Sequence, residues 1–124
     1  MSYNELTPEE DGVIVRKGTE PPFAGEYDNF YKQGTYVCRR CNHTLFSSKS
    51  KFGAGCGWPS FNESFPNAIK RAHDPDRTRA EIQYAKCGVH LDHEFIGEHL
   101  TAKNTRECVN SLSIRFVPAL KHEQ

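Results

Sequence analysis

RECVNSLSIRF (residues 106–116) places a cysteine at the head of an alternating run. In an extended chain Leu112, Ile114 and Phe116 leave one side, and Ser111, Ser113 and Arg115 leave the other. The stretch therefore predicts a half-buried β-strand. Cys108 sits just before the run. Arg106 and Asn110 lie two residues to either side of it and should share its face. A guanidinium there would favour the thiolate. Glu107 should point the opposite way. On these grounds Cys108 reads either as a reactive thiol or as an ordinary buried cysteine.

Outward from this stretch the same punctuation recurs. TYVC (35–38) and HTLF (43–46) flank a short turn, and RAEIQYA (79–85) alternates with Ile82 and Tyr84 on one face. HLDHEF (90–95) also alternates, but His90 and His93 are three apart. In a regular strand they would face opposite ways, so a bend or bulge is needed for them to converge. They read either as a general acid pair beside a thiol, or as one core and one surface histidine.

HDPDRT (73–78) reads as a turn, and ALKHEQ (119–124) as a frayed tail. Before residue 18, LTPEE (6–10) starts a helix: Thr7 caps, Pro8 takes the first helical position and Glu10 completes a capping box. Gly18 could end it. TEPPFAGEYDNFYKQG (19–34) is irregular and should pack over the core as a loop. The expected architecture is one mainly β domain over residues 1–124. Residues 1–17 form a helical N-terminal segment of one or two short helices, and residues 119–124 the tail.

The chain has 124 residues, and its 16 basic and 16 acidic side chains cancel. A neutral balance argues against a general nucleic-acid binder. MSYNELTPEED (1–11) lacks the apolar core of a signal peptide, and no run is long enough to span a membrane. These features lead to the expectation of a cytoplasmic monomer. Five cysteines, at positions 38, 41, 56, 87 and 108, are an odd set for a disulfide scaffold and favour metal ligands or reactive thiols.

Cys38-x-x-Cys41 can grip one zinc ion from a tight turn, with Cys87 as a third thiolate. A matching second pair would need a cysteine at position 84, where this chain has Tyr84. His43 and His73 are candidate fourth ligands. The alternative is three ordinary buried thiols. GAGCGWPSF (53–61) surrounds Cys56 with glycines and carries the only tryptophan, Trp58.

Taken together, GTEPPF (18–23), YVCRRC (36–41), LFS (45–47), KF (51–52), GCGWPSF (55–61), CGVHLDHEF (87–95) and RECVNSLSIRF (106–116) resemble, in order, the B-type methionine sulfoxide reductases. These enzymes reduce the R epimer of methionine sulfoxide. The resemblance implies two small antiparallel sheets forming an open, barrel-like β-tent. It makes Cys108 the catalytic nucleophile and Cys56 the resolving cysteine. Trp58 and Phe61 become aromatics of the substrate pocket, with Trp58 against the terminal methyl group. His90, His93, Arg106 and Asn110 become polar residues around the nucleophile, with His93 the first choice as acid.

It also implies a sulfenic acid on Cys108, a Cys56–Cys108 disulfide and recycling by thioredoxin, with no organic cofactor. The glycines beside Cys56 would let that cysteine reach Cys108.

Three positions depart from the family pattern. Tyr84 replaces a cysteine of the zinc site. Asp92 stands where glycine is usual, next to both histidines, and could strain the backbone there. Glu107 replaces a tyrosine or histidine. These departures leave a second reading, a non-catalytic zinc-knuckle-like binding module on the same fold.

Overall fold

A computed structural model of the chain describes residues 3–73 and 79–119, the His73 side chain excepted. The expected HDPDRT turn and, past Ala119, the expected tail lie outside the described residues.

The N-terminal segment forms a single helix, α1 (Pro8–Ile14). Thr7 accepts from the Glu10 amide, and the Glu10 carboxylate accepts from the Thr7 amide at 2.9 Å. This reciprocal cap is the one expected. Among the described residues only this helix precedes the sheets, and Lys17 rather than Gly18 takes the left-handed conformation after it (φ 62°). Val13 and Ile14 bury its apolar face.

Among the described residues nine strands follow: β1 (Gly34–Cys38), β2 (Thr44–Ser47), β3 (Lys51–Phe52), β4 (Ser60–Phe61), β5 (Ile69–His73), β6 (Arg79–Tyr84), β7 (His90–Ile96), β8 (Thr105–Val109) and β9 (Ile114–Pro118). They form two antiparallel sheets. The smaller has the order β2-β1-β9, the larger β3-β4-β8-β7-β6-β5. The mainly β expectation holds, and neither sheet closes into a barrel.

The stretch 106–116 is the hinge between them, since β8 belongs to the larger sheet and β9 to the smaller. This corrects the single strand expected at SLSIRF. Ser111–Ser113 is a 3-10 turn, with Ser111 and Ser113 buried and Leu112 only partly so. Changing sheets requires a corner, and at the corner the period-2 pattern stops reporting burial.

An aromatic core fills the space. Phe61 of β4 stacks on Phe46 of β2 at 4.3 Å, and its edge meets Tyr36 of β1 at 5.0 Å. All three are fully buried. Each such ring contributes about 1.5–3 kcal/mol through burial alone. The irregular segment before β1 covers this core as expected, with Tyr27 against Tyr36 and Phe30 against Phe116. Among the described residues no helix is long and apolar enough to cross a membrane.

Candidate active site

Strand register assembles the site. On β8, Cys108 lies directly opposite His93 of β7 on one side and Ser60 of β4 on the other. Cross-strand partners share a face, so all three side chains emerge together. Two residues along, Arg106 is opposite Phe95 on the same face. The alternate positions turn away: Glu107 lies opposite Glu94 and Phe61.

His90 and His93 are reconciled by a bulge. Along β6, Ile82 pairs with Asp92 and Gln83 with His90, so Leu91 is the extra residue. The two rings then stand perpendicular, 6.4 Å apart. Their partners differ. His90 is buried and bonds Glu81 through Nδ1 at 2.8 Å. His93 is half-buried and bonds the Asp92 carboxylate through Nδ1 at 2.7 Å.

An open cleft of about 200 Å³ is walled by Trp58, Phe95 and His93, with Cys56, Cys108, Asp92, Arg79, Arg106 and Thr19 around it. Both thiols are free and line this same cleft. Cys56 also lies 3.4 Å from the Ser60 hydroxyl and 3.5 Å from the Trp58 carbonyl. The neighbouring Cys108 thiol, aided by Ser60, the Trp58 backbone and the Arg106 charge, outweighs burial and pulls the Cys56 thiol down to about 5. The neighbouring Cys56 thiol, then burial and the Asp92 charge, push Cys108 up, and its own S–H is directed at Asp92 Oδ2, 3.9 Å away. Arg106 pulls the other way, as the sequence suggests, but is outweighed.

Gly55 (φ 72°) and Gly57 (φ 95°) flank Cys56, both in conformations that favour glycine. A Cβ on Gly57 would lie 2.6 Å from the Pro22 side chain. These glycines bring the Cys56 loop to the cleft that Cys108 also lines.

Other site residues act from outside the cleft. Asn110 does not share its space. It is fully buried, accepting from the Glu20 amide at 2.9 Å and donating to the Leu91 carbonyl at 3.2 Å. Glu20 in turn accepts the indole N–H of Trp58 on its carbonyl at 2.9 Å, and its carboxylate takes the Ser111 amide. Asn110 therefore ties the Leu91 bulge to the segment that holds Trp58. Phe61 is likewise not brought to the cleft, because its place on β4 points it into the core. Arg106 is held by two bonds to Glu98, at 2.8 and 3.2 Å, and lies over the Phe95 ring at 4.2 Å.

Phe95 and Arg79 line the cleft without having been singled out from the sequence. Phe95 could have been found by alternation from His93. Arg79 and Ser60 depend on long-range register, which no local pattern carries.

Away from the cleft, the Cys38 thiol lies 3.5 Å from that of Cys87, and Cys41 is 3.6 Å from Cys87. All three lie within 4.8 Å of one another and could hold a metal ion. Among the described residues no histidine or carboxylate joins them. His43 instead bonds the Tyr84 hydroxyl at 2.6 Å, and the His73 side chain lies outside the described residues. Burial raises the Tyr84 phenol, and the charges of the three thiols raise it further.

The chain matches the SelR domain family over residues 6–118 and belongs to that family. It is 52% identical over 115 residues to peptide methionine sulfoxide reductase B3 of Arabidopsis thaliana, covering 92% of this chain and 65% of that protein. It is 50% identical to the chloroplastic reductase B3 of Oryza sativa subsp. japonica, over 92% of this chain and 50% of the relative. Reductase B5 of the same rice is also 50% identical, with 92% of this chain and 85% of that protein covered. The chain therefore spans less than two thirds of the length of the first two.

Proposed function

We propose that this protein reduces the R epimer of methionine sulfoxide, free or in oxidised proteins, to methionine. The observation that carries this reading is the Cys108 thiol, sharing a cleft with Cys56 and facing His93 across the sheet, with Trp58 as a wall. Trp58 offers a flat apolar surface to the methyl group, and its bond to Glu20 holds the ring in place.

The Cys108 sulfur attacks the sulfoxide sulfur, and His93 protonates the oxygen. The oxygen then passes from the substrate sulfur to the Cys108 sulfur as the bond between the two sulfurs breaks, so methionine leaves and Cys108 is left as a sulfenic acid. The Cys56 thiolate attacks that sulfur. With one proton taken up, water departs and a Cys56–Cys108 disulfide remains. A dithiol protein of the thioredoxin type returns both thiols by exchange.

The three-cysteine cluster fits a structural zinc ion. Tetrahedral zinc with bonds of about 2.3 Å spaces its sulfurs about 3.8 Å apart, near the separations present here. Cys38, Cys41 and Cys87 would hold it, clamping the turn after β1 to the turn after β6. Zinc would serve there as a cross-link, remote from the reaction.

The test uses separated R and S epimers of an N-blocked methionine sulfoxide with dithiothreitol as reductant. Methionine should form from the R epimer alone, and Cys108→Ser should form none. Turnover of neither epimer by the wild-type protein would overturn the reading.

A further inference from the structure

Asp92 occupies a conformation that its own chemistry does not favour. Its φ is 156°, within the range where side chains other than glycine's are strained. Along a regular strand, residues 92 and 93 would face opposite sides of the sheet. At the Leu91 bulge the backbone instead turns the Asp92 carboxylate onto the His93 side. One oxygen accepts from His93 Nδ1 at 2.7 Å, and the other lies 3.9 Å from the Cys108 sulfur. The residue is buried and lines the cleft. A strained, buried carboxylate touching both the thiol and the proposed acid is a costly arrangement for a structural role alone.

We propose that Asp92 is a catalytic proton acceptor for Cys108 and orients His93 for proton donation. This rests on the sulfoxide reductase reading above. As the Cys108 sulfur gives its electron pair to the sulfoxide sulfur, its proton passes to Asp92 Oδ2. In the same step His93, fixed through Nδ1, gives a proton from Nε2 to the sulfoxide oxygen. The Asp92–His93 pair takes one proton and gives one, so its total charge is unchanged. The Cys108 S–H is already directed at Asp92 Oδ2 across 3.9 Å, so the acceptor stands where the proton leaves.

The groups facing Asp92 are His90 and His93 on its own strand, Arg79 on β6, Cys108 and Arg106 on β8, and Cys56 from the loop. Burial raises the Asp92 carboxyl above its usual range, and the histidines and Arg79 offset this in part. A raised acceptor makes the rate climb with pH as Asp92 loses its proton.

The experiment compares wild type, Asp92→Asn and Asp92→Gly in a single turnover. Each reduced protein is mixed with saturating N-blocked methionine-R-sulfoxide across a range of pH, and methionine is counted per enzyme. Glycine relieves the strained φ, so Asp92→Gly should melt no lower than wild type, which separates chemistry from folding. Both variants should lose about a hundredfold in single-turnover rate and the acid limb of the profile, with substrate binding little changed. Variants that match wild type in rate and pH profile would overturn the role of Asp92. An inert wild type would overturn the reductase reading itself, and the two failures are distinct.

Discussion

Glu94 and Glu107 face one another across β7 and β8, both almost fully buried, with Arg71 of β5 as a shared cation. Arg71 binds Glu94 at 2.8 Å and reaches Glu107 only at 3.6 Å. Burial, then the bond and charge of Glu94, push Glu107 up to about 9. The two carboxyl groups share this cation on the face turned away from Cys108, and Glu107 Oε2 is buried without a hydrogen-bond partner. Glu107 accordingly does not figure among the causes that raise the Cys108 thiol.

Glu107 is thus protonated in the folded protein at pH 7 and ionised in the unfolded chain. Below about pH 4.5 both states hold the proton and there is no penalty. As pH rises toward 9 the unfolded state gains, and stability falls. Glu107→Gln can still donate to Glu94 and has no proton to lose. It should stabilise the protein at pH 7 by up to about 3 kcal/mol, and flatten the decline between pH 5 and 9 in urea titrations. An unchanged slope would mean that Glu107 titrates normally.

The thiol pair makes a second prediction. In the reduced protein Cys56, not Cys108, should react first with iodoacetamide at mildly acidic pH, as peptide mapping would show. Replacing Cys108 by alanine removes the largest cause of the Cys56 shift. The Cys56 titration, followed by thiolate absorbance, should then move up from about 5 toward the free-thiol value of about 8.5. First alkylation at Cys108 would place the charge on the wrong sulfur.

Much of this arrangement could be read before any coordinates. The capping box at Thr7, the strands around Arg39–Asn42 and the direction of Glu107 follow from local rules of period and side-chain preference. The need for a bulge near His90 and His93 was legible from their spacing alone. Its position at Leu91 was not, because a bulge is defined by the pairing strand. Nor was the contact of Asp92 with Cys108, which depends on that bulge. The resemblance places Phe61 and Asn110 around the site. The fold uses one as core and the other as a tie, a distinction that burial makes and motif matching does not. Leu112 misled because alternation presumes a single sheet on both sides of the residue.

The three-cysteine cluster should respond to a change at position 84. Freshly purified protein should contain about one zinc per chain, and Cys87→Ser should lose it and melt lower. Tyr84→Cys supplies a thiolate where the Tyr84 phenol stands near the three sulfurs. It should raise the chelator concentration needed to strip the metal, because a closed set of four thiolates suits structural zinc better than three. Equal resistance in wild type and Tyr84→Cys would show that another group already completes the site.

Asn110 separates a structural tie from a chemical role. Asn110→Ala leaves the Glu20 N–H and the Leu91 carbonyl without their side-chain partner in a buried setting. The expected loss is about 2 kcal/mol in urea unfolding. Because Glu20 also anchors the Trp58 indole, the variant should raise KM for the sulfoxide more than it lowers kcat. Asn110→Asp restores the acceptor for Glu20 but not the donor to Leu91, so it should recover substrate affinity before it recovers stability. A fall in kcat with KM unchanged would instead place Asn110 in the chemical step.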